Sequence, residues 1–135
     1  LNAVAALFAR RPEAVHRLLY AEDRKTEVGP WCKQLAAARR PYRLLPEEEL
    51  AKAAGTLHHG GVMAVADPLK VKPFSPAAID GPEPVLVMDG VGNPQNFGAI
   101  ARTAAFLGVR HLVLSADPRQ ALPSDAAIRV AAATA

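Results

Sequence analysis

Apolar positions along the first 66 residues recur at helical and then at strand spacing, three times over. Val4, Leu7 and Phe8 stand three and one apart within Ala3 to Arg10, which predicts a short helix that Asn2 can cap. Pro12-Glu13 breaks it, and Val15 to Tyr20 reads as a strand. Ala21 to Gly29 is charged and loop-like. Pro30 then suits the first turn of a helix through Arg39-Arg40, with Trp31, Leu35 and Ala38 on one face. Pro41 ends that helix and Tyr42 to Leu45 forms a short strand. Pro46-Glu47-Glu48-Glu49 opens a third helix, where the carboxylates complement the positive end of the dipole, and Gly55 closes it. Val62 to Ala66 is a continuous apolar run of strand length. The alternation α, β, α, β, α, β predicts a small three-layer α/β domain over residues 1–66.

The pattern then changes. Pro68, Pro73, Pro76, Pro82 and Pro84 punctuate a stretch with few large apolar residues, so residues 67–83 read as a Pro-rich linker. A second unit, residues 84–135, opens with an apolar strand from Pro84 to Gly90. A polar loop, a helix from Asn96 to Leu107, Gly108 as its stop and a strand from Val109 to Leu114 complete one βαβ unit, with parallel strands and a right-handed crossover. Pro123-Ser124-Asp125 caps a further helix from Ala126. Two parallel strands with bare edges make an incomplete sheet, so the second domain is expected to continue past residue 135.

Composition adds an asymmetry. The net charge of +3 comes from residues 1–70, which hold 11 Lys/Arg against 8 Asp/Glu, while residues 71–135 hold 5 of each. Arg10-Arg11, Arg24-Lys25 and Arg39-Arg40 with Arg43 are the basic clusters. They suit an anionic partner, with Arg10, Arg11, Arg39 and Arg40 as candidate phosphate contacts, or else they are solvated helix ends. Cys32 is the single cysteine, which excludes an internal disulfide; beside Trp31 it reads as a small buried hydrophobe. His58 and His59, being adjacent, point to different sides and have no Cys or carboxylate nearby in sequence, so no metal site is expected. No secretory pattern and no apolar run of bilayer length is present, and a cytoplasmic location without membrane contact is the expectation.

The candidate chemistry lies in Asn93-Pro94-Gln95-Asn96-Phe97-Gly98-Ala99-Ile100-Ala101-Arg102-Thr103-Ala104. A polar loop at the end of a buried strand, opening a helix, is where α/β sheets place ligands, because the helix start aims free N–H groups outward. Phe97, Ile100, Ala101, Ala104 and Ala105 share the face expected to pack on the strands. Asn96 suits the N-cap. Gly98 removes a side chain where a ligand backbone could approach, and Arg102 follows one turn later on the same flank. A guanidinium beside a glycine floor and a helix start fits a phosphate or ribose-phosphate chain. The bland alternative makes Asn96 only a cap and Arg102 only a solvated helical arginine.

The stretch from Leu86 to Ala104, ending in Phe106-Leu107-Gly108-Val109, closely resembles the first motif of the SpoU family of RNA ribose methyltransferases, within the SPOUT superfamily. Asn2-Ala3-Val4 and His59-Gly60-Gly61-Val62-Met63-Ala64 resemble that family's N-terminal substrate-binding domain. The resemblance implies S-adenosylmethionine-dependent methylation of a ribose 2′-hydroxyl in ribosomal or transfer RNA. It also implies a catalytic domain with a trefoil knot, of which this chain holds the start. On that footing Asn96 and Arg102 carry the catalytic roles, Gly98 adjoins the RNA, and homodimers form through the complete catalytic domain. A guanidinium with a pKa above about 12 is a poor base, so Arg102 is better suited to orienting phosphate and stabilising a developing alkoxide.

The chain departs from the family pattern at Gly60, where many members have Gln, and at Ala131 and Ala133, where Ser and Gly are usual. Arg129, in that segment, is a second RNA contact or a helix charge. The family's second and third motifs are absent, so cofactor-binding residues are expected beyond residue 135, and the chain by itself is expected neither to bind the cofactor well nor to turn over. Two other readings stay open: a non-catalytic RNA-binding protein using residues 1–66, and an unrelated α/β nucleotide-binding enzyme. The latter lacks a G-x-G-x-x-G or P-loop glycine pattern.

Overall fold

Leu18 and Leu19, neighbours on one strand, are buried on opposite faces of a sheet, and this divides the first unit into three layers. The computed structural model describes residues 1–79 and 81–132. It separates into two units, Leu1–Asp67 and Pro68–Ala135. The first unit runs α1 (Asn2–Arg10), β1 (Val15–Tyr20), α2 (Lys25–Ala37), β2 (Tyr42–Leu44), α3 (Glu47–Ala54) and β3 (Val62–Ala66). Its strands lie in the order β2-β1-β3, with β2 parallel and β3 antiparallel to β1. Val15, Leu18 and Tyr20 meet Val4 and Phe8 of α1 and Val28, Cys32 and Leu35 of α2 on one face. Phe8 and Trp31 stack there with ring centres 5.1 Å apart. On the other face Leu19, Met63 and Leu45 pack under Leu50 of α3.

Two local expectations give way here. Leu1, not Asn2, flanks the start of α1, and its side chain makes no cap. The segment Ala21 to Gly29 is not a loop: a 3₁₀ turn, Glu22–Arg24, leads directly into α2, so Pro30 lies inside the helix. Val28, Cys32 and Leu35 recur at four and three residues and are buried together. Burying Val28 and Leu35 stabilises by roughly 1.5–3 kcal/mol each, which offsets the ~3 kcal/mol that an interior proline costs. Tertiary packing thus extends the helix past its own breaker.

The second unit runs β4 (Val85–Met88), α4 (Pro94–Phe106), β5 (His111–Leu114) and α5 (Asp125–Ala131), after a short 3₁₀ turn at Pro76–Ala78. β4 and β5 are parallel, from Val85 opposite His111 to Met88 opposite Leu114. Met88, Phe97, Ala121 and Ala127 form the core, with Leu86, Ile100 and Leu114 against it. Ser124 caps α5 through its hydroxyl. Ala105, expected on the packed face of α4, is exposed, and Gly98 is buried instead. The helix is rolled toward α5, a neighbour that periodicity within α4 alone does not reveal. The mixed α/β architecture is the fold class expected from the sequence. Ala133, Thr134 and Ala135 lie outside the described residues, so the expectation at Ala133 does too.

Candidate functional site

The loop from Asp89 to Asn93 leaves the buried end of β4 at Met88 and turns into α4. Asn93, not Asn96, is the N-cap. Its Oδ1 accepts from the Gln95 N–H at 2.8 Å and the Asn96 N–H at 3.3 Å. Pro94 occupies the first helical position, where a missing N–H costs nothing and the fixed φ favours the helix. The Phe97 N–H returns to the Asn93 carbonyl at 2.9 Å. The expected free helix start therefore does not exist, because the Gln95, Asn96 and Phe97 amides are all bonded to Asn93 and Pro94 has none. A phosphate cannot be held there by backbone amides alone.

Asn96 is released from capping, and its side chain lines an open cleft of about 500 Å³ with Ala99, Ile100 and the Gly90–Asn93 loop. Gln120 holds that loop. It is the buried polar residue among the described ones, and its Oε1 accepts the Val91 N–H at 3.1 Å while Nε2 donates to the Val91 carbonyl at 3.2 Å. The Ala121 N–H reaches the same Val91 carbonyl at 2.8 Å. Gly92 passes so close to the Arg119 carbonyl that a Cβ would stand 2.8 Å from it. Asp117 and Arg119 form an exposed fork at 2.7 Å, which holds the Asp117 carboxyl below its ordinary range.

Gly98 does not floor a ligand site. A Cβ at that position would collide with the Ala127 carbonyl and come within 2.9 Å of Val130 Cβ. The glycine admits α5, and the approaching backbone is the chain's own. Arg102, at about 100° per residue, falls between the α5 side of α4, marked by Gly98, and the cleft side, marked by Asn96, Ala99 and Ile100. It is half-buried, and among the described residues it has no hydrogen bond or ion pair. Asn96 lines the cleft, whereas Arg102 is not among its lining residues and stands one turn after Gly98 on the neighbouring flank. Arg129 is exposed in the last turn of α5, where it complements the helix dipole.

In the first unit Arg40 turns inward. Its Nη1 donates to the carbonyls of Pro12, Glu13 and Val15, sharing its two hydrogens among them, so this nitrogen is taken up by the chain's own backbone. Arg10 and Arg39 are exposed; Arg11 is half-buried, and its Nη2 donates to the Asp67 carbonyl. Cys32 is buried, with its thiol pushed up by burial. His59 Nδ1 accepts the Gly61 N–H at 3.1 Å. Among the described residues no group of His, Cys, Asp and Glu is placed to hold a metal, and no helix is long and apolar enough to cross a membrane.

Sequence reasoning missed Asn93 and Gln120. The Asn-Pro pair carried a signal for the first, since Pro is favoured at the first helical position; nothing local marked the second.

Residues 1–72 match the family described as RNA 2′-O ribose methyltransferase substrate binding, and residues 83–135 match the SpoU rRNA Methylase family. The chain belongs to the SpoU family of RNA methylases. It is 37% identical over 134 residues to a Haemophilus influenzae protein named as an uncharacterized tRNA/rRNA methyltransferase, covering 96% of this chain and 37% of that one. It is 30% identical over 120 residues to the 23S rRNA (guanosine-2′-O-)-methyltransferase RlmB of Bordetella pertussis, covering 86% of this chain and 49% of that one. Human mitochondrial rRNA methyltransferase 1 is 42% identical over 62 residues, or 42% of this chain and 18% of that protein. The chain therefore spans less than half the length of these relatives.

Proposed function

We propose that this chain is the RNA-binding unit and the opening of the catalytic domain of an S-adenosylmethionine-dependent methyltransferase acting on a ribose 2′-hydroxyl of ribosomal or transfer RNA. The observation that carries the reading is Arg102. A half-buried guanidinium with no hydrogen bond or ion pair among the described residues, carried by the helix whose first turn lends Asn96 to the cleft, is an anion receptor kept open. The family match and the relatives named as 2′-O-methyltransferases supply the reaction class.

The residues lining the cleft do not by themselves suit the methyl donor. Neither a carboxylate for ribose hydroxyls nor an aromatic ring for adenine is among them. These residues act on the acceptor. Arg102 orients the phosphate next to the reacting ribose and lowers the energy of the negative charge that develops on the 2′-oxygen as its proton leaves. Asn96 can donate to and accept from ribose oxygens, which fixes the sugar's attitude. The trefoil knot, homodimers formed through the catalytic domain, and a cytoplasmic location belong to the same proposal.

The test compares Arg102→Ala with the parent in the complete polypeptide that carries this sequence. Transfer of labelled methyl groups to ribosomal and transfer RNA should fall on the order of 10²–10³-fold, with RNA affinity little changed. Full transfer by the variant would overturn the assignment of Arg102.

A further inference from the structure

Arg10 and Arg39, far apart in sequence, come to one edge of the first unit, where α1 and α2 end and β1 begins. α1 ends at Arg10, and α2 ends at Ala37, just before the turn carrying Arg39 and Arg40. β1 starts at that edge, and β2, parallel to it, begins level with Leu18. Arg40 bonded to the Val15 carbonyl, and Arg11 bonded to the Asp67 carbonyl, tie the pieces together. On the sheet, Arg43 is level with Leu19, and Arg17 stands two residues before Leu19 on the same face. Arg17 and Arg43 are therefore diagonal neighbours on adjacent strands. Arg10, Arg17, Arg39 and Arg43 are exposed, and among the described residues Glu13 and Asp67 stand in opposition at the edge. Asp67 is already engaged by His16 at 2.8 Å.

The opposite edge, at the carboxyl ends of β1 and β2, has the reverse sign. Glu22, Asp23 and Glu27 follow β1, and Glu47, Glu48 and Glu49 follow β2. Arg24 and Lys25, the cations there, are paired with Glu27 and Glu22. Ligands of α/β folds usually settle at the carboxyl ends of strands and at helix N-termini. Here six carboxylates repel a polyanion from that place.

Complementing helix C-termini accounts for Arg10, Arg11, Arg39 and Arg40 by sign alone. It does not account for Arg17 and Arg43, which sit on strands, nor for the backbone of Arg39. That residue has φ 55°, and among the described residues it is the sole non-glycine with positive φ. Its N–H bonds the Ala36 carbonyl at 3.0 Å while the Arg40 N–H bonds the Leu35 carbonyl at 2.8 Å. This doubly bonded helix ending favours glycine, so an arginine is held there against its own preference. Strain retained at an exposed, charged position points to a use for the side chain.

We propose that this arginine edge, together with the sheet positions of Arg17 and Arg43 beside it, is the surface on which the first unit receives the sugar–phosphate backbone of RNA, with the acidic edge facing away. The assignment rests on the RNA-modifying role proposed above and adds the orientation and the contacting residues. Arg10, Arg17, Arg39 and Arg43 meet phosphates; Arg40 adds charge from inside the fold.

The experiment is fluorescence anisotropy of the whole chain with a fluorescein-labelled RNA stem–loop across a salt series, alongside melting curves. Arg39→Gly should raise the melting temperature yet weaken RNA binding several-fold, and should lower the salt slope by about 0.9 for the lost phosphate contact. Arg17→Glu with Arg43→Glu should weaken binding further, whereas Glu47→Gln, Glu48→Gln and Glu49→Gln together should not weaken it. Unchanged affinity and slope in both arginine variants would overturn the proposal. If the strand variant fails to fold, Arg39→Gly decides alone, since it removes atoms and relieves strain. Binding that instead depends on Arg24 and Lys25 would leave the RNA reading standing and sink the orientation; a parent chain without salt-dependent RNA binding would sink both.

Discussion

The side-chain amide of Gln120 brackets the backbone of Val91, accepting its N–H and donating to its carbonyl from 29 positions along the chain. Nε2 also donates to the Ala121 carbonyl at 3.0 Å, so every polar atom of this buried amide is used. Gln120→Ala should therefore destabilise the second unit by about 1–3 kcal/mol, because the Val91 N–H loses its partner. Urea unfolding measures the loss, and hydrogen exchange at the Val91 amide should accelerate more than at amides within β5. Equal acceleration everywhere would mean that the loop is held by something else.

Gly98→Ala separates two uses of a glycine. On helix propensity alone, alanine should stabilise α4 by about 1 kcal/mol. The Cβ, however, meets the Ala127 carbonyl and Val130 Cβ, and backbone cannot yield as a flexible side chain can. A net loss of about 1–3 kcal/mol is expected, with α5 displaced. A gain in stability would show that the α4–α5 approach is looser than described.

Arg40→Met keeps much of the aliphatic stem and removes the donors that reach the Pro12, Glu13 and Val15 carbonyls. The expected cost is about 1.5–3 kcal/mol, since hydrogen bonds to a charged group lie at the strong end. Chemical denaturation checks it. A neutral result would reopen Arg40 as a residue available to a partner.

The thiol of Cys32 and the phenol of Tyr20 face each other in the first core, and burial raises both from their usual 9.0 and 10.0. Each group is thus more reluctant to ionise folded than unfolded. Their stabilising contribution is complete below the unfolded values and is lost as pH rises through the folded ones. Melting temperature should fall on the alkaline side, and Cys32→Ala should flatten the first part of that fall. Superimposable pH profiles for parent and variant would rule this out.

How much of this was legible in the sequence depends on the range of the forces involved. β1 and β3 occupy their predicted positions because β3 is an apolar run and β1 a short strand-forming segment that follows the Pro12 break, both local properties. The start of α2 was hidden because Pro30 speaks locally for a helix beginning, while Val28, four residues before Cys32, is recruited by a core that the linear pattern does not display. The cap of α4 was expected at Asn96 and lies at Asn93, a position consistent with the proline that follows it at the first helical residue. Gly98 and Arg102 have the spacing of a ligand floor, and only α5, arriving from well downstream, shows the glycine to be structural. Arg39 and Arg40, adjacent in sequence, take opposite fates because the left-handed turn between them sends one outward and the other in.

The self-contained turn at Asn93-Pro94 bears on discrimination. A cradle of vacant amides grips inorganic phosphate, free nucleotides and metabolite esters alike, and in a cell crowded with such small anions it would rarely be empty. A turn whose donors already answer one another has nothing to offer those competitors. Whatever settles in the adjoining cleft must be chosen by side chains and by shape, which favours a large polymer seated at several points over any single loose anion.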